Sequence, residues 1–127
     1  MTTNPLSYAG VPPLTNLLLE ESYVLDVSAE PDRVQFKMDL VLLEGHPRYH
    51  ELQQGEQFCY ARASIVITAP RAVTWLRKTM RPFRDASNEI DYGTIDSWQV
   101  QGEAMRIEGD WGEIEVSGGT IGVDFDS

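Results

Sequence analysis

Hydrophobic and polar residues alternate along most of this chain, the period of a strand with one face buried. In residues 33–43, Val34, Phe36, Met38, Leu40 and Leu42 fall on one side, with Gln35, Lys37 and Asp39 on the other. Residues 17–27 begin apolar throughout and then alternate at Tyr23, Leu25 and Val27, predicting a strand after a short helical turn. Glu30-Pro31-Asp32 supplies a turn between these two segments, which makes them a hairpin. Residues 45–55, with Pro47 between two glycines, read as a loop. Residues 57–68 follow as a strand with Cys59, Ala61, Ala63, Ile65 and Ile67 on one side, small enough at the start for another element to pack close. Residues 95–101, 103–108, 111–117 and 120–125 are short alternating runs separated by Gly102, Gly109-Asp110 and Gly118-Gly119, the punctuation of tight hairpins in an antiparallel meander.

Residues 70–84 fit two patterns. A helix starting at Pro70 gathers Val73, Leu76, Met80 and Phe83 on one arc and Arg71, Arg77, Lys78, Arg81 and Arg84 on another. Thr74-Trp75-Leu76 suits a strand equally well, and Pro82 ends any helix before Phe83. Residues 1–13, with Pro5, Gly10, Pro12 and Pro13, read as an irregular arm. Six or seven strands and at most one or two short helices predict a single all-β domain over residues 1–127, or a β-rich α+β one. The architecture expected is an antiparallel sandwich or rolled sheet, because one flat sheet would leave an apolar face wet.

At 127 residues the chain can bury about two-thirds of its unfolded surface, enough for a core without staples. No apolar run reaches the length of a membrane span, and the first residues lack the basic and apolar regions of a secretory signal, so a cytoplasmic protein is expected. The lone Cys59 allows neither an intrachain disulfide nor a multi-cysteine zinc site, and reads as a core thiol.

Charge adds the main functional expectation. The net charge is -10, yet residues 71–84 hold five basic side chains and no acid, while residues 102–127 hold seven acids against Arg106 alone. The acidic balance repels phosphate backbones, so no nucleic-acid partner is expected even though Trp75 and Phe83 in the basic run could stack on single strands, and the lack of an apolar span predicts no membrane partner. The reading that follows is a soluble, non-enzymatic protein-binding domain whose acidic C-terminal face, formed by Glu103, Glu108, Asp110, Glu113 and Glu115, meets a basic protein surface. A second reading is self-association, as a homodimer, with Arg77, Lys78 and Arg81 of one copy docking on that acidic face of another.

A third reading is a small β-fold enzyme or ligand binder. His46-Pro47-Arg48-Tyr49-His50-Glu51 holds both histidines, and His46, His50 and Glu51 are the residue types of a divalent-metal site. Pro47 keeps them off a helix, and solvated loop histidines are the plain alternative. Residues 85–96 place oxygen ligands at alternate positions like a calcium loop, but Ile90 stands where the sharp turn needs glycine and Asp96 where a bidentate glutamate is standard. Acid pairs such as Asp91 with Asp96, or Asp110 with Glu113, are too numerous for any one to be selected for acid/base work. There is no phosphate-binding glycine loop and no serine nucleophile elbow, and no cofactor is expected.

Residues 88–98, the run Glu108-Gly109-Asp110-Trp111-Gly112-Glu113-Ile114-Glu115 and the run Gly55-Glu56-Gln57-Phe58-Cys59-Tyr60 resemble small uncharacterised bacterial proteins ending in a Gly-Asp-Trp-Gly-Glu hairpin. That resemblance implies no activity. In size and acidity the chain is also similar to toxin-neutralising immunity proteins. Gly109 and Gly112 flank Trp111 so that a tight turn can lay the indole over a sheet.

Overall fold

A computed structural model describes residues 11–84, 86 and 88–126. Of the N-terminal arm only residues 11–13 are among them. Ten strands follow in chain order: β1 (Tyr23–Glu30), β2 (Arg33–Leu42), β3 (Cys59–Thr68), β4 (Ala72–Lys78), β5 (Phe83–Arg84), β6 (Ile90–Asp91), β7 (Ile95–Gln101), β8 (Ala104–Gly109), β9 (Gly112–Ser117) and β10 (Thr120–Phe125). Eight of them form two four-stranded sheets, ordered β1-β2-β3-β10 and β4-β9-β8-β7, while β5 and β6 pair as a short ribbon. Every strand pairing is antiparallel. The two helical elements among the described residues are single 3-10 turns at Pro12–Leu14 and Leu19–Glu21. No helix there is long and apolar enough to cross a membrane.

The fold is therefore an all-β sandwich, and its two sheets are joined by a shared ribbon. β3 pairs with β10 and β4 pairs with β9, so the chain from β3 to β4 and the chain from β9 to β10 turn the same corner side by side. Ala69 (φ 53°), Gly118 (φ 70°) and Gly119 (φ 94°) supply the left-handed backbone that this bend needs. The Arg71 N–H donates to the Ser117 carbonyl at 2.7 Å and the Gly118 N–H to the Glu103 carbonyl at 2.9 Å, holding the corner together. The expected four-strand meander is accordingly three strands long: after β9 the chain crosses to the other sheet, and Gly118-Gly119 is a corner instead of a hairpin loop.

The segment that fits both helix and strand is a strand. Val73, Thr74 and Trp75 pair with Val116, Glu115 and Ile114, which gives their backbone groups a ladder that an isolated helix would have to supply for itself.

Val34, Phe36, Met38 and Leu40 of β2 are fully buried, and Leu42 is 3% exposed, as the alternation predicts. A chain of rings crosses the space between the sheets. Phe36 of β2 lies 5.2 Å from Trp111 edge-to-face and 6.3 Å from Trp98 of β7, and Trp111 lies 6.1 Å from Trp75 of β4. Trp111 reaches inward from the two-residue turn between β8 and β9, where Gly109 pairs with Gly112. Ser22, buried after the second 3-10 turn, donates to the Leu18 carbonyl at 2.8 Å and accepts from the Val41 N–H at 2.9 Å, fastening the start of β1 to the end of β2.

Candidate functional site

The acidic C-terminal residues and the basic segment share one sheet. On its outer face β9 presents Glu113 and Glu115, opposite Glu108 and Arg106 of β8 and opposite Arg77 and Thr74 of β4. Arg106 lies between two of the acids, its Nε 3.5 Å from Glu113 and its Nη2 2.9 Å from Glu115. Arg77 reaches Glu108 at 3.6 Å and also donates to the Gly109 carbonyl and to Thr79 Oγ1. Glu103, on the β7–β8 turn, pairs with Arg71 across the corner. Lys78 lies over the Trp75 ring, 5.1 Å from its centroid. Arg81 borders a shallow cleft with Asp96, Glu108 and Asp110.

The two charged segments, distant in sequence, are thus interleaved on adjacent strands instead of forming opposite poles. Such exposed pairs add little stability, but they cancel most of the field that the acids would project.

The loop after β2 holds the histidines apart from one another's chemistry. His46 accepts from the Arg48 N–H at Nδ1 (3.0 Å) and packs its ring 5.3 Å from Phe125, while Arg48 covers the same Phe125 ring. Burial, and then the Arg48 charge, lower the His46 pKa below its ordinary value. His50 is exposed and its Nδ1 contacts the Glu51 carbonyl. Among the described residues no group of three or more His, Cys, Asp and Glu side chains is arranged to hold a metal ion. Cys59 is a buried thiol inside the core. Of the calcium-like stretch, Asp85 and Ser87 lie outside the described residues. Asp91 accepts from the Gly93 N–H and Asp96 from the Thr94 hydroxyl, so both carboxylates hold turns.

A different surface emerges at the start of β1. A bulge between Val24 and Asp26 shifts the strand's phase. Val24 points into the core and Val27 and Ala29 pack against it, but Tyr23 and Leu25 are turned outward. Bulges commonly re-aim side chains beside functional surfaces. The segment after β6 lies against this bulge, with the Tyr92 N–H donating to the Val24 carbonyl and the Val24 N–H to the Gly93 carbonyl, each at 2.8 Å. Together they enclose a cleft of about 220 Å³ lined by Tyr23, Leu25, Asp39, Tyr60, Glu89, Ile90 and Asp91.

Tyr23 and Tyr60 stack with centroids 6.3 Å apart and planes at 24°, and Phe58 meets Tyr60 edge-on at 6.1 Å. Among the described residues, three of the eight large apolar side chains that are clearly exposed line this one cleft: Tyr23 (40%), Tyr60 (36%) and Ile90 (42%). Arg62 stands beside it, 3.7 Å from Asp39 and 3.8 Å from Glu89.

The electrostatics of the cleft follow from that crowding. Burial raises the Asp39 pKa; Arg62 opposes the shift and Glu89 adds to it. Burial also raises the Tyr60 pKa, helped by Tyr23 and by the charges of Asp39 and Glu21. Because Asp39 holds its proton more tightly in the folded state than in the unfolded one, the protein loses the corresponding stability as pH rises through the folded pKa. Asp39→Asn does not titrate. Its melting temperature should match the wild type near pH 3 and exceed it near pH 7, measured as paired thermal melts across that range. A constant difference at all pH values would show that Asp39 is not destabilised by its charge.

The sequence pattern did not point to these residues, since the alternation of Tyr23 with Leu25 and Val27 reads as one buried face. Only the pairing Tyr23–Asp39–Arg62 across three strands brings the aromatic and acidic groups together. No protein-family model, curated protein or solved structure matches this chain.

Proposed function

We propose that this domain is a non-enzymatic protein-binding module for a basic partner, and that it docks by the end of the sandwich where β1 begins. The observation supporting this reading is the cleft itself, where exposed apolar rings lie among Glu21, Asp39, Glu89 and Asp91, with Arg62 beside them and Lys37 on the adjoining surface, so acids outnumber bases. Exposed apolar side chains rimmed by one sign of charge are the composition of a docking surface. The C-terminal sheet contributes less, because Glu103, Glu108, Glu113 and Glu115 are matched by Arg71, Arg77 and Arg106, whereas at the cleft Arg62 is shared between Asp39 and Glu89. Its residual charge acts in steering.

The test is fluorescence anisotropy with a labelled arginine- and lysine-rich peptide and an acidic peptide of equal length, at low and high salt. Binding of the basic peptide alone is expected, weakening as salt rises. The Glu89→Gln/Asp91→Asn double variant should reduce it more than Glu113→Gln/Glu115→Gln does. Equal loss in the two variants, or no binding of the basic peptide, would overturn the proposal.

A further inference from the structure

We propose that the cleft between Tyr23, Leu25, Tyr60 and Ile90 is a receptor for a single arginine side chain of the partner, a refinement that rests on the protein-binding reading above. Its volume of about 220 Å³ is below the range of about 300–1,000 Å³ in which whole small ligands bind, and suits one side chain. The walls and rim divide as an arginine does. Leu25 and Ile90 offer apolar surface to a methylene stem, the stacked Tyr23 and Tyr60 rings offer a face to a planar cation, and Asp39, Glu89 and Asp91 supply the opposite charge.

The chain already shows the pairing in outline, for Arg62 brings its own guanidinium to Asp39 and Glu89 from the neighbouring side. At 3.7 Å from Asp39 this is a charge contact longer than a hydrogen bond, so the Asp39 carboxylate can still accept from an incoming N–H. Arginine is favoured over lysine because its planar fork stacks on rings and meets carboxylates with two parallel donors, whereas an ammonium remains a hydrated point charge.

The experiment is an NMR titration with the capped tripeptides Gly-Arg-Gly and Gly-Lys-Gly, following the ring signals of Tyr23 and Tyr60. The arginine peptide should shift both rings and bind about fivefold more tightly than the lysine peptide. Asp39→Asn and Tyr60→Leu should each weaken it about fivefold, while Glu44→Gln, an exposed acid in the loop after β2, leaves it unchanged. Tyr60 is partly exposed on the outer face of β3, so its replacement leaves the core intact. Equal binding of both tripeptides, shifts confined to β8 and β9, or indifference to both cleft variants would overturn the arginine receptor. If those results come with a basic peptide that still binds and still depends on Glu89 and Asp91, the protein-binding reading survives without it. If neither probe binds, both fall.

Discussion

Trp111→Ala should destabilise the domain by about 3–5 kcal/mol, which for many small domains is a large part of the whole stability. The indole is fully buried and touches both sheets, through Phe36 on one side and Trp75 on the other, so no neighbour can collapse into the space without breaking ring contacts elsewhere. Its Nε1 makes no hydrogen bond to the described residues, and its contribution is therefore volume and ring packing. Trp111→Phe should for that reason lose clearly less than the alanine variant. Urea unfolding of the three proteins under one set of conditions measures the order. If alanine and phenylalanine cost the same, the indole is not the wedge between the sheets.

Gly109→Ala should cost about 3 kcal/mol, the upper part of the overpacking range. A Cβ there would collide with the Thr94 carbonyl oxygen, which is backbone, and with the Trp111 indole that packs over this position. Neither can retreat easily, because Thr94 leads into β7 and Trp111 is wedged in the core. Gly122 offers the contrast within the same fold. It lies in β10 without a left-handed φ, and a Cβ meets nothing within 4 Å. Gly122→Ala should leave stability unchanged or raise it by about 0.4–1 kcal/mol through the unfolded chain. Chemical denaturation of both variants separates a collision from a general sensitivity to losing glycine. Similar losses at both positions would remove the close-approach explanation.

Particular segments show what could be read before the structure. The five inward residues of β2 were legible because one face of that strand meets the core along its whole length. The Pro31-Asp32 turn was legible because its residues restrict the backbone locally. Gly118-Gly119 was legible as a break in the strand but not as a corner, since the change of sheet depends on β10 pairing with β3 some fifty residues earlier in the chain. Residues 72–78 showed no preference of their own, and β9 decided for strand.

The pairing of the charged residues was not legible for the same reason. Net charge along a segment says nothing of which strand lies beside it, and β4 set against β9 brings arginine to glutamate. The cleft at Tyr23 depended on a bulge of one residue, which reverses the facing of everything before it. Its acidic wall comes from Asp39 of β2 and from Glu89 and Asp91 around β6, two stretches some fifty residues apart.

The corner shared by the two sheets also bears on how the protein is made. The first sheet takes three of its strands from residues 23–68 but gains its fourth, β10, from residues 120–125. During synthesis β3 therefore emerges with an apolar inner face and an open row of backbone donors and acceptors, and waits for residues 69–125 to be translated. An unfinished edge of that kind invites pairing with a neighbouring nascent chain. Only when β10 pairs with β3 is that edge closed.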